Sequence, residues 1–166
     1  MIFNLKNVLL LTMAISTISC GLIGKKSTSV ENKMLPEMSL TTDDGKTIQL
    51  SSLKGKKVFV NLWATWCPPC VAEMPSIQQL YATTGNNGTE FVMISFDKNF
   101  ETAKKWVKQK GLDLPVYAVN GDLPELFNVE GIPSTFIFDE EGKLIYRITG
   151  SEDYSKSKFI NMLSGK

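Results

Sequence analysis

Cys67-Pro68-Pro69-Cys70 follows the apolar run Val58-Phe59-Val60-Asn61-Leu62-Trp63 and opens a segment with helical spacing. A cysteine where a strand gives way to a helix meets the positive end of the helix dipole and backbone N–H groups that lack intrahelical partners. Both favour the thiolate over the thiol, so Cys67 is the expected nucleophile. Cys70 lies one turn further on, close enough for the two sulfurs to close a small ring, and can act as the resolving thiol. Pro68 and Pro69 fall in the first turn, where a missing N–H costs little, and they stiffen the ring without breaking the helix. Trp66, beside the nucleophile, would shield the thiolate and offer apolar contact to a partner.

Two blander uses of the pair compete with redox chemistry. A purely stabilising disulfide is disfavoured because so small a ring removes little chain entropy. A metal site is disfavoured because the chain has no histidine and only three cysteines, one of them near the N-terminus. The missing histidine also removes a His-activated nucleophile and a histidine-ligated haem. No metal and no cofactor is expected. With 18 Lys and Arg against 17 Asp and Glu, scattered rather than blocked, nucleic acid is not an expected partner.

A chain of 166 residues, 43% hydrophobic and 21% charged, suits a single globular domain with a substantial core. The domain is expected over 34–166. Before it, 1–20 has Lys6, the apolar run Val8 to Ile15, and small residues ahead of Cys20, which is the pattern of an export leader. The apolar stretch is short and rich in hydroxyls for a membrane-spanning helix. Thr17-Ile18-Ser19-Cys20 looks like a bacterial lipobox, which makes Cys20 the expected lipidation site, although Thr17 stands where leucine is usual. The polar segment 21–33 reads as a flexible tether.

Within the domain, Met38 to Leu40 and Thr47 to Leu50 flank the turn Asp43-Asp44-Gly45-Lys46 and predict a hairpin. Val58 to Trp63 is apolar on both faces, as a central strand covered by helices on each side should be. Apolar positions at Val71, Met74, Ile77, Leu80 and Tyr81 predict a helix from Pro68 to about Thr84, kinked at Pro75. Phe91 to Phe96 predicts a second buried strand and Phe100 to Lys110 a helix, giving a parallel crossover. A short extended piece at Val116 to Val119 and a short helix at Leu123 to Phe127 follow. Thr135 to Phe138 and Leu144 to Ile148 form the clearest hairpin, and a helix from Asp153 to Leu163 closes the chain.

The motif Trp66-Cys67-Pro68-Pro69-Cys70-x-x-Glu73-x-Pro75, with the N-terminal hairpin and Gly131-Ile132-Pro133-Ser134-Thr135 before the last hairpin, resembles the thioredoxin superfamily. Within it the chain is similar to the exported, membrane-tethered thiol-disulfide oxidoreductases of the TlpA and ResA type, over most of its length after about Met34. The resemblance implies an α/β fold, a thioredoxin-like three-layer sandwich with a central mixed sheet flanked by helices, an added N-terminal β-hairpin and a helical insertion. It also implies a cis peptide bond before Pro133, facing the cysteines, although a cis X-Pro bond is rare in general. The backbone of Ile132 beside Pro133 would then offer an edge that a substrate segment joins as a short strand.

Thioredoxin itself carries an aspartate on the central strand where this chain has Asn61, which does not titrate. The proton of Cys70 then needs another acceptor, and Glu73, where the TlpA-like family carries a glutamate, is the candidate. The competing reading of Glu73 is a surface carboxylate near a helix N-terminus. The implied activity is a protein-disulfide reductase acting on exported disulfide-containing proteins, apocytochrome c among them, recharged by a membrane thiol protein and facing the periplasm or the outer surface of the cytoplasmic membrane. The alternatives are a disulfide-donating oxidase and a non-catalytic lipid-anchored adaptor using the same groove. A peroxidase is disfavoured because Thr65-Trp66-Cys67-Pro68 lacks the peroxiredoxin pocket, and a copper chaperone because the cysteine spacer is short and histidine is missing.

Overall fold

The computed structural model describes residues 32–85 and 87–164. The leader, Cys20 and nearly all of the expected tether lie outside the described residues. Seven strands form one mixed sheet: β1 (Ser39–Thr42), β2 (Thr47–Gln49), β3 (Lys57–Trp63), β4 (Thr89–Ser95), β5 (Val116–Asn120), β6 (Ser134–Phe138) and β7 (Leu144–Thr149), in spatial order β2-β1-β5-β4-β3-β6-β7. The helices are α1 (Pro68–Thr84), α2 (Phe100–Gln109) and α3 (Ser157–Ser164). β3, β4 and β5 are parallel neighbours joined by α1 and α2, whereas β6 pairs antiparallel with β3 on its other side. The N-terminal hairpin extends the sheet beyond β5 through antiparallel pairing of β1.

Alternation along β3 divides the core. Phe59 and Trp63 face one side with Phe91, Met93, Met74, Ile77, Leu80, Val107, Tyr154 and Phe159. Val58, Val60 and Leu62 face the other with Leu40, Leu50, Val92, Ile94, Phe127 and Phe136. All three helices contribute to the first cluster. The second face is closed by the N-terminal segment and by 3₁₀ turns at Leu50–Leu53 and Glu125–Phe127, not by the regular helix expected there. The expected short helix at Leu123 to Phe127 is a single 3₁₀ turn, whose last N–H groups return to Pro124 and Glu125 before the chain turns at Gly131 and Pro133.

The closing helix starts at Ser157, four residues later than the expected Asp153, and the segment ahead of it is held by hydrogen bonds outside any helix. The N–H of Glu152 goes to Glu73, that of Tyr154 to the Ser76 hydroxyl, and that of Ser155 to the Asp153 carboxylate. α1 continues through Pro75, with the Ser76 hydroxyl donating back to the Glu73 carbonyl at 2.8 Å.

Phe59 is the aromatic hinge of the helical side, stacked on Phe91 at 4.9 Å between centroids and set edge-on to Tyr154 at 5.2 Å. Phe59→Ala removes a fully buried ring between two others, and is expected to lower unfolding free energy by about 3–5 kcal/mol with an unchanged denaturant slope. Urea unfolding checks this; a loss under about 1 kcal/mol would mean that the site collapses freely.

Candidate active site

The parallel arrangement of β3 and β4 places the C-terminal end of β3 at the edge where α1 begins, and the chain turns there through Thr65 and Trp66. Two anchors fix that turn. The Cys67 N–H donates to the Ala64 carbonyl, and the Asp97 carboxylate, just past β4, accepts from the Thr65 N–H at 3.1 Å, the Thr65 hydroxyl at 2.6 Å and the Ser95 hydroxyl at 2.8 Å. Trp66 is thereby pushed outward and is 65% exposed, one of two large apolar side chains that stand clear of the surface among the described residues.

Cys67 is the N-cap of α1, and its sulfur accepts from the Cys70 N–H at 3.3 Å. Pro68 and Pro69 occupy the first two helical positions and face solvent. A disulfide joins Cys67 to Cys70. Cys67 is 4% exposed and Cys70 not at all, so an incoming disulfide can reach only the first sulfur. That asymmetry follows from helix geometry, since position 67 caps the helix at its rim and position 70 points into the core.

Opposite the cysteines the Ile132–Pro133 bond is cis, in agreement with the resemblance, and the Ile132 carbonyl oxygen lies 3.7 Å from the Cys67 sulfur. The Ile132 N–H has no backbone partner among the described residues, while the Pro133 carbonyl accepts from Gly150. Pro133 is buried and Ile132 half-buried. Trp66, Pro68, Pro69 and the Ile132 backbone therefore border one groove over Cys67.

Glu73 is buried, which removes the surface-carboxylate reading. One carboxylate oxygen accepts from the Asn61 amide at 2.8 Å, and the other from the Glu152 N–H at 3.2 Å. The same Asn61 amide nitrogen donates to the Thr135 hydroxyl at 2.9 Å, and the Tyr154 hydroxyl donates to that oxygen at 2.6 Å. Burial pushes Glu73 up to about 7, with the nearby Glu152 charge adding to the effect, against the opposing pull of the two hydrogen bonds. The Asn61 carbonyl oxygen is buried without a protein partner. Rotating that amide would let a protonated Glu73 donate to it, so Asn61 can serve either protonation state.

Four contributors were not singled out from the sequence: Asp97, Thr135, Tyr154 and Glu152. Asp97 carried a signal in its place at the carboxyl end of a parallel strand, where α/β sheets gather functional groups. The other three are brought to Glu73 by tertiary contacts only. Among the described residues no group of three or more His, Cys, Asp or Glu side chains could hold a metal ion.

The family model described as Redoxin matches residues 29–163. The thiol-disulfide oxidoreductase ResA of Bacillus thuringiensis subsp. konkukian is 35% identical over 158 residues, covering 89% of this chain and 91% of its own length. ResA of Bacillus subtilis is 34% identical over 129 residues, covering 77% of this chain and 72% of its own. Among solved structures, a thiol:disulfide interchange protein of the thioredoxin family from Chlorobium tepidum superposes with a TM-score of 0.69 at 33% identity, covering 81% of this chain and 97% of its own.

Because Glu73 holds its proton more tightly when folded, its contribution to stability is complete below about pH 4.5 and is lost as pH rises through about 7. Wild type should therefore lose about 3 kcal/mol relative to Glu73→Gln across that window. Unfolding midpoints of both proteins between pH 4 and 8 check it; parallel pH profiles would contradict the assignment.

Proposed function

The chain belongs to the Redoxin family and is a thiol-disulfide oxidoreductase of thioredoxin-like α/β fold, and on that premise we propose that it reduces disulfides in exported proteins through the Cys67/Cys70 pair. The observation that carries this reading is the pair itself: a disulfide at the N-terminus of α1, with Cys67 4% exposed and facing the Ile132 backbone and Cys70 fully buried.

In the reduced protein, Cys67 is the attacking thiolate. The helix N-terminus and the Cys70 N–H stabilise its charge. A client segment lies along Ile132 and against Trp66, Pro68 and Pro69, presenting its disulfide in line with Cys67. Attack forms a Cys67–client bond and breaks the client disulfide, whose departing sulfur takes a proton. Cys70 then attacks the Cys67 sulfur, forming the internal disulfide and releasing the second client thiol. Two electrons pass to the client and the chain ends oxidised.

Burial holds a thiol in its neutral form, so Cys70 needs a base before it can attack. Glu73, one turn further along α1, is that base. A carboxyl that titrates near neutrality can take the Cys70 proton and later give it up, which a carboxylate at its ordinary value does poorly.

The wider setting follows from the leader. Export and attachment through a lipid on Cys20 are supported by the Thr17-Ile18-Ser19-Cys20 pattern and by the polar stretch over 21–33 ahead of the domain at 34–166. No helix among the described residues is long and apolar enough to cross a membrane. The similarity to ResA supports clients such as apocytochrome c and recharging by a membrane-bound thiol protein.

Three outcomes check these roles. Cys70→Ser should accumulate mixed disulfides with client proteins on non-reducing gels and Cys67→Ser should not; equal trapping would overturn the division of labour. Glu73→Gln should slow resolution of the mixed disulfide on the order of 10²-fold in single-turnover insulin reduction, leaving first attack by Cys67 intact. Cys20→Ala should move the protein from the membrane fraction to the soluble one, and unchanged fractionation would remove the lipid anchor.

A further inference from the structure

A general base that works in every cycle must also lose the proton it has taken. During resolution the client covers the groove over Cys67, so the groove is blocked when Glu73 becomes protonated. Glu73 also lines a second opening: a cleft of about 380 Å³ formed by Ala72, Glu73, Pro75, Ser76, Ser151, Glu152 and Asp153. Trp66, Cys67, Ile132 and Pro133 do not line this cleft. Glu73 is therefore open to a side of the molecule that Cys67 and Ile132 do not line.

Resting on the reading of Glu73 as the base for Cys70, we infer that this cleft is the proton exit of the enzyme, and that the Ser151–Asp153 segment holds Glu73 at its inner end. The segment does so directly, since the Glu152 N–H donates to the Glu73 carboxylate at 3.2 Å, on the oxygen that Asn61 leaves free. Beside Ala72 and Pro75, its lining includes the polar residues Ser76, Ser151, Glu152 and Asp153. A space of that size with several polar partners admits water. Glu152 is pinned by Lys156 at 2.7 Å and Lys158 at 3.1 Å, which hold it ionised and keep its backbone aimed at Glu73. The Tyr154 N–H donates to the Ser76 hydroxyl, which ties the segment after Asp153 to α1.

The proton balance is simple. Cys70 S–H gives its proton to the Glu73 carboxylate as sulfur–sulfur bond formation releases the client as a thiolate, which takes its own proton from solvent. The Glu73 carboxylic acid then passes the proton through the cleft to a water or buffer base and returns to its ionised form. Pro75 has a part in this, because the helix at this point has no N–H to donate and its ring forms one wall of the opening.

The test follows Glu73 itself. Cys70→Ser protein carries either methanethiol or the insulin B chain in a mixed disulfide on Cys67, leaving the groove open or covered. After a light-triggered proton pulse, infrared spectroscopy follows the growth of the protonated Glu73 band, assigned by its loss in Glu73→Gln. The rate should be the same for both adducts. In the insulin adduct, filling the cleft by Ser151→Trp, or from the α1 side by Ala72→Phe, should slow it about tenfold, a partial loss of what proton transfer contributes. A rate that falls when insulin covers the groove, or that both filled-cleft variants leave unchanged, overturns the exit. The base role of Glu73 stands or falls separately, on the resolution rate of Glu73→Gln.

Discussion

The hydrogen bond from the Asn61 amide to the buried Glu73 carboxylate joins the central strand to the helix that carries both cysteines. A carboxylate in that place would ordinarily be excluded, since burying an uncompensated charge costs several kcal/mol. Two donors compensate it in part, each hydrogen bond to a charged group contributing about 1.5–3 kcal/mol. The remaining imbalance appears as a carboxyl that titrates near 7, not as an unfolded protein. Through Thr135 and Tyr154 the same network reaches β6 and the segment before α3. The strand after the cis proline, the helix after the cysteines and the C-terminal segment are thus held in one register around one group.

This arrangement separates two tasks that a smaller site would combine. The surface around Cys67, with exposed Trp66, Pro68 and Pro69 and the Ile132 carbonyl 3.7 Å from its sulfur, is where the proposed client would lie. The interior handles the proton. Asp97 serves the first task by fixing Thr65, and Glu152 serves the second through its backbone N–H. Neither residue touches a sulfur.

The cysteine pair was legible because its chemistry depends on local features: an apolar strand, a helical period, and prolines where a helix tolerates them. Pro133 and Glu73 were legible through resemblance, their positions relative to the cysteines being what a thioredoxin-like chain would place there. Glu73's burial was not legible, because its helix neighbours Ala72 and Pro75 are exposed and the groups that meet its carboxylate, Asn61 and Glu152, are distant in the chain. Thr135 and Tyr154 read as ordinary strand and core residues, since hydrogen bonds over 74 and 19 residues of separation leave no periodic trace. α3 starts later than the local pattern predicts, and the segment ahead of it is held by Glu73 and Ser76 of α1 and by a turn at Asp153, contacts that leave no periodic trace either. The second face of the sheet was expected under helix, but apolar residues in 3₁₀ turns cover it equally well.

In a protein-disulfide reductase electrons leave the cysteine pair for the client. The sulfur of Cys67 has one backbone donor at 3.3 Å, a carbonyl oxygen at 3.7 Å that opposes negative charge, and a chain without histidine around it. A dithiol whose thiolate has few stabilising partners is the better reductant. The reduction potential of the Cys67/Cys70 pair, measured by equilibration against glutathione or dithiothreitol, tests this most directly. A value near that of thioredoxin, about −270 mV, is the predicted result, and one near that of a disulfide donor, about −120 mV, would contradict it.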